Sequence, residues 1–184
     1  MTRAGLASYL ALLLTWNERI NLTGARTIDE LVREHLPDAF ALAGRIADAK
    51  VKVADVGSGG GLPAIPLLLL QARARVVMFE PIAKKTAFLR TAVRELGLGE
   101  RAQVEARRVD AATAEAGFDV AISRAALPPK EWLALARHLV IPGGRVFVLA
   151  ARPLGAQPPP ELDLVSEMVY LGGHRRLVEL RRST

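Results

Sequence analysis

Apolar positions recur at helical intervals through the first fifty residues and then switch to short runs. Leu6, Leu10, Leu13 and Leu14 fall on one stripe of a helix. A second helix opens at Thr27-Ile28-Asp29-Glu30, where Thr27 and Glu30 have the spacing of a capping box. Pro37 clashes with the carbonyl four residues back, so this helix is expected to stop or bend near Leu36, and a further one to run to about Ala47. From residue 51 the pattern becomes strand-like. Strands are predicted over 51–56, 75–80, 102–107, 118–123 and 145–150, with helices near 64–71, 83–96 and 130–139.

Strands alternating with helices imply a parallel sheet wound by right-handed crossovers, with helices on both faces. Pro142-Gly143-Gly144 reads as a turn into the fifth strand, and Pro158-Pro159-Pro160 as an exposed loop. The last two strands, around Gly172-Gly173, are too close for a crossover and should pair antiparallel. The expected fold is α/β: a doubly wound, mostly parallel sheet of about seven strands with an antiparallel C-terminal strand. One domain over 1–184 is expected, with 1–49 a helical cap and 50–184 the core.

Composition narrows the chemistry. The 184 residues are 51% hydrophobic and 24% charged, which excludes a disordered chain. With no cysteine, disulfides, thiol catalysis and thiolate metal sites are excluded, and a reducing cytoplasm is compatible. No apolar run approaches the roughly 20 residues that span a bilayer, so no membrane association is expected. The formal net charge is +6, carried by 20 arginines and five lysines. That balance suits a polyanionic partner such as nucleic acid, and equally suits a biased composition.

In an open parallel sheet, ligands bind beyond the carboxyl ends of the strands. Those ends carry Asp55 with Gly57-Ser58-Gly59-Gly60-Gly61, then Glu80, Val109-Asp110 and Ser123-Arg124. The glycines admit two spacings: Gly57, Gly59 and Gly61, or the dinucleotide-like Gly59, Gly61 and Ala64. A carboxylate after strand two accepts both ribose hydroxyls of a nucleoside, or pairs with Lys84 one helical turn on. Asp110 stands where an acceptor meets an adenine amine, or is an ordinary loop aspartate. Arg124 clamps an anion, or closes a local salt bridge. His35, His138 and His174 have no metal-ligand spacing. His138 lies on an apolar helix and reads as structural, and His35 with Asp38 reads as a fold-stabilising hydrogen bond. Trp16 and Trp132 read as core.

Taken in order, these elements resemble the class I S-adenosylmethionine-dependent methyltransferases, and within them the RsmG (GidB) family. The resemblance rests on Trp16-Asn17 with Asn21-Leu22-Thr23, His35-Leu36-Pro37-Asp38, and 56–63 around the glycines. It continues through Glu80 with Lys84-Lys85, Phe88-Leu89-Arg90, Arg108-Val109-Asp110, Ser123-Arg124-Ala125 and Pro142-Gly143-Gly144. Ala39, Ala64 and Ala150-Ala151 depart from the family pattern, and the N-terminal helical region is short. The resemblance implies a Rossmann-like methyltransferase fold and S-adenosylmethionine as cofactor. It also implies transfer of a methyl group to guanine N7 in small-subunit (16S) ribosomal RNA, in the cytoplasm. By it Asp55, Gly57, Gly59, Gly61, Leu62, Val109, Asp110 and Arg124 belong to the cofactor site, Glu80 holds the ribose, and Arg124 is a candidate for orientation or RNA contact. The partner is then ribosomal RNA or the small-subunit particle, and a monomer is expected. Two other classes stay open: an NAD(P)-binding oxidoreductase using the second glycine spacing, and a catalytically inactive module that binds cofactor or RNA.

Overall fold

The capping box forms. In a computed structural model, which describes residues 2–46, 50–155 and 157–184, Thr27 Oγ1 accepts from the Glu30 amide at 3.2 Å. The Glu30 carboxylate accepts in return from the Arg26 and Thr27 amides. Helix α2 (Ile28–Glu34) therefore starts with two of its orphan donors satisfied. It ends at His35, and α3 (Leu36–Ile46) begins at once with Pro37 in its first turn, where a missing amide costs little. The predicted end at Ala47 lies outside the described residues. The leucine stripe of α1 (Thr2–Asn17) turns inward, Leu10 and Leu13 being buried.

Seven strands form one sheet in the order β3-β2-β1-β4-β5-β7-β6. Strands β1 (Lys52–Val56), β2 (Arg75–Phe79), β3 (Ala102–Glu105), β4 (Phe118–Arg124) and β5 (Val140–Ala150) are parallel. The hairpin of β6 (Leu162–Tyr170) and β7 (Arg175–Arg182) closes the far edge, with β7 antiparallel to both its neighbours. Helices α4 (Ala64–Leu70), α5 (Ala83–Glu95) and α6 (Pro129–Leu139) fill the crossovers close to their predicted limits.

Two boundaries differ from expectation by more than one residue. β3 stops at Glu105, two residues short of the predicted 107. β5 begins at Val140 rather than Arg145, because Pro142-Gly143-Gly144 is an irregularity inside the strand and not a turn before it. Gly143 has φ +75, and a Cβ on Gly144 would lie 2.8 Å from the Ile141 carbonyl oxygen. Glycine lets this strand kink and continue.

The core is divided by the sheet. One face packs Leu13, Leu31, Leu42, Ile65, Phe88 and Phe147 beneath α1 to α5. The other packs Trp132, Leu133, Phe118 and Leu139, with α6 as its helix. The segment between β3 and β4 is irregular. That second face is consequently left open over the ends of β1 and β2, and a cleft lies there.

Candidate functional site at the carboxyl edge of the sheet

The loop after β1 is bound into the sheet by its own amides. Gly57 and Ser58 both donate to the Phe79 carbonyl, at 2.9 and 3.2 Å, and Gly61 donates to the Ser58 carbonyl at 2.7 Å. From the cap, the buried Tyr9 hydroxyl donates to the Gly60 carbonyl at 2.6 Å. Gly57, Gly59 and Gly61 have φ of +76, +55 and +78, so the backbone uses the first of the two glycine spacings. At Gly57 the requirement is double, since a Cβ there would lie 2.3 Å from Ala126 Cβ. Leu62 and Ala64, at the start of α4, are buried, and the Ile65 amide is already bonded to the Gly61 carbonyl.

Glu80 follows β2 and is buried. Its Oε2 accepts from the Gly59 amide and its Oε1 from the Ile82 amide, both at 2.9 Å. Lys84 is not its partner. A carboxylate has about four lone-pair positions, so two remain for a ligand. Asp55, beneath the same loop, is 1% exposed, and its Oδ2 has no hydrogen-bond partner. Burial pushes its pKa up to about 7, against the opposing effects of Ser58 and Arg124.

The cleft itself has a volume of about 520 Å³, within the usual span for small-molecule sites. Val56, Gly57, Phe79 and Val109 line the sheet side, and Leu127 and Leu135 the α6 side. Asp110 stands at its rim, where its Oδ1 accepts from the Ala112 and Thr113 amides and the Thr113 hydroxyl. The Thr113 hydrogen bonds hold its carboxyl below the usual range. The Arg107 guanidinium lies over the Phe79 ring, 5.0 Å from its centroid. Of the residues proposed from sequence, Gly57, Val109 and Asp110 line this cleft, and Glu80 lies between the lining residues Phe79 and Pro81. Gly59, Gly61, Leu62 and Asp55 form the loop and its support.

Arg124 lies elsewhere, facing the cap. Its Nη1 donates to His35 Nδ1 at 2.7 Å and reaches Asp38 Oδ2 at 3.4 Å. Guanidinium only donates, so His35 Nδ1 is the acceptor and the ring proton sits on Nε2, facing Thr23 Oγ1 at 2.9 Å. Burial, then the Arg124 charge, pulls the His35 pKa down to about 4. Asp38, 1% exposed, also accepts from the Tyr170 hydroxyl at 2.7 Å, and burial with this bond raises the tyrosine pKa. Asn17 closes the other end: its side chain accepts from the Leu22 and Thr23 amides and donates to the Thr23 and Ala25 carbonyls. Three separate sequence motifs thus meet in one hydrogen-bonded chain.

Sequence reasoning missed Tyr9, Tyr170 and the α6 wall. It read His138 as structural, whereas His138 is half-buried and lines the cleft. The available signal was the helical spacing of Glu131, Leu135 and His138, which puts the three on one face of α6.

A seven-stranded sheet of this order, with a glycine loop after β1 and a carboxylate after β2 at a cleft, defines a class I methyltransferase. The fold matches an O-methyltransferase family protein from Burkholderia thailandensis with TM-score 0.68, at 18% identity over 85% of this chain and 58% of that one. Residues 2–157 match the family described as GidB, rRNA small subunit methyltransferase G. The chain belongs to that family. It is 38% identical to ribosomal RNA small subunit methyltransferase G of Chromobacterium violaceum, covering 89% of this chain and 76% of that one. With the protein of the same name from Aromatoleum aromaticum the identity is 39%, over 99% and 90%. Methyltransferases of this kind use S-adenosylmethionine. Among the described residues no helix is long and apolar enough to cross a membrane.

Proposed function

We propose that this chain transfers the methyl group of S-adenosylmethionine to N7 of a guanine in small-subunit (16S) ribosomal RNA. The observation that carries the reading is a pair of buried carboxylates flanking the glycine loop, each with acceptor capacity left over. Glu80 is fixed by two amides and keeps two lone pairs, which suits the vicinal hydroxyls of a ribose. The unpartnered Asp55 Oδ2 suits an ammonium, and an amino-acid tail supplies one. Gly57 lets the ligand approach the backbone, while Val109 and Asp110 suit the adenine, the first as apolar contact and the second as acceptor. Gly59, Gly61 and Leu62 keep the loop in shape. The start of α4 is packed beneath the loop, which speaks against a pyrophosphate there and so against the oxidoreductase reading.

When bound, the cofactor supplies an electrophilic methyl on a sulfonium. Guanine N7 carries an in-plane lone pair and no proton, so the N–C bond forms as the S–C bond breaks without any base. The residues of this chain have only to align, desolvate and hold, and orientation alone contributes up to about 7–11 kcal/mol. Arg124 spends only its Nη1 on His35 and Asp38, and its remaining guanidinium donors suit the base or an RNA phosphate. In duplex RNA the major groove that N7 faces is deep and narrow, so the target guanine lies in a loop, bulge or distorted helix.

The test is transfer from radiolabelled S-adenosylmethionine to small-subunit RNA from cells lacking this protein. The label should be recovered as 7-methylguanine. Label at any other atom, or none on either naked RNA or the assembled subunit, overturns the reading. Glu80→Ala should weaken S-adenosylmethionine binding by about 1.5–3 kcal/mol, the scale of hydrogen bonds to a charged group. Equal calorimetric affinity in the two proteins removes the ribose assignment.

A further inference from the structure

The amino end of the same sheet carries a second opening, of about 570 Å³, lined by Lys50, Lys52, Arg73, Arg75 and Arg101. Lys52 and Arg75 are register partners on the parallel strands β1 and β2, which places them side by side about 5 Å apart. Like charges so placed cost a sheet stability. Were folding the only requirement, a carboxylate would be expected between them. Among the described residues, Lys50, Lys52 and Arg75 have no carboxylate partner. Some cations elsewhere are paired, Arg137 with Glu161, Arg145 with Glu179 and Arg176 with Glu167.

Two acids in the opening leave it cationic. Asp119 turns one carboxylate oxygen to the Lys52 backbone amide at 2.7 Å, and Glu100 adds one negative charge. The floor is rigid, because Arg101 Nη1 donates to the carbonyls of Leu68, Gln71 and Ala74. Lys52 is seated too, its Nζ 4.7 Å from the centroid of the Phe118 ring.

We propose that this opening is a second RNA contact, taking successive phosphates of the RNA backbone at the end of the sheet opposite the methyl-transfer cleft. The site deepens the rRNA reading above and rests on it. The strands that separate the two openings are about 17 Å long, a distance one continuous polyanion bridges and a lone phosphate does not. The contact adds affinity and register without sequence information, as phosphate contacts do.

The experiment measures binding of unmethylated small-subunit ribosomal RNA over a salt series, for the wild type and for Lys52→Gln/Arg75→Gln. Loss of two phosphate contacts should lower the log–log salt slope by about 1.4–1.8 and weaken binding about tenfold or more near 0.1 M salt. Affinity for S-adenosylmethionine should stay the same, and the melting temperature should hold or rise as the like-charge pair disappears. RNA affinity and slope equal to wild type overturn the proposal. So does unchanged RNA binding with weakened binding to phosphatidylglycerol vesicles, which assigns the opening to a membrane surface. Labelled methyl transfer by the wild type, run on the same RNA, separates the two readings. Variant-sensitive RNA binding without transfer removes the function and keeps the site; transfer with variant-insensitive binding does the reverse; no wild-type RNA binding removes both.

Discussion

Across the carboxyl edge of the sheet, the cap side and the cleft side use similar residues and finish them differently. Facing the cap, His35, Asp38, Tyr170, Thr23 and Asn17 are completed by one another and by Arg124 Nη1. Facing the cleft, Arg107, Arg108 and Asp110 stand exposed around an apolar floor, and Glu80 keeps two lone pairs. Buried polar groups whose own partners complete them serve the architecture, because leaving one unpaired is costly. Groups with capacity to spare are where a ligand is accommodated. Asp55 crosses this division: it is buried as deeply as Asp38, yet one of its oxygens has no partner.

The largest effect should come from the cap side. Asp38→Ala removes the acceptor of the Tyr170 hydroxyl and the counter-charge of Arg124, whose side chain is 20% exposed. Breaking a buried pair from one side costs about 4 kcal/mol. Urea unfolding should show that loss in Asp38→Ala and only about 1 kcal/mol in Tyr170→Phe, which leaves the ion pair intact. A loss below 1 kcal/mol in Asp38→Ala would mean that the cap network does not hold this edge together.

On the cleft side the corresponding change is smaller in stability and larger in binding. Gly57→Ala puts a side chain at φ +76 and a Cβ at 2.3 Å from Ala126 Cβ. Left-handed strain and local overpacking together cost about 2–3 kcal/mol. Because Ala126 and Gly57 both line the cleft, S-adenosylmethionine affinity should fall further than unfolding free energy. If calorimetry finds wild-type affinity in Gly57→Ala, the cleft is not where the cofactor binds.

The same division explains what could be read from the sequence. The capping box at Thr27 and Glu30, the strand ends at Asp55 and Glu80 and the glycine spacing are local, and local rules fix them. The cap network is not local: Arg124 meets His35 and Asp38 across 89 and 86 residues, and Tyr170 meets Asp38 across 132. Motif resemblance drew attention to the first three, but no spacing rule joins them, and Tyr170 lies beyond the matched 2–157. The start of β5 was misread for a related reason. Pro-Gly-Gly is turn chemistry, and only pairing of Val140 with Phe118 shows that the strand has already begun.

The effect least visible in the wild type is a pair of opposed pH dependences, one from each side of the comparison. Burial raises the folded pKa of Asp55 from 3.8 to about 7, so between those values the folded protein binds more protons than the unfolded one. Stability from this group is full below about 3.8 and declines as pH rises to 7. Burial and Arg124 lower the folded pKa of His35 from 6.5 to about 4, so there the unfolded chain binds more protons. Its contribution is present above 6.5 and is lost as pH falls towards 4. Each slope is at most about 1.4 kcal/mol per pH unit, and in the wild type they oppose each other over most of that range. Substitution should separate them. In His35→Gln, stability should fall from pH 4 to 7, since Asp55 then acts alone; in Asp55→Asn it should rise from pH 4 to 6.5, since His35 does. Urea midpoints across that range measure both. Parallel curves for the two variants would show that Asp55 is already satisfied in the folded protein, and the acceptor proposed for an ammonium would be lost with it.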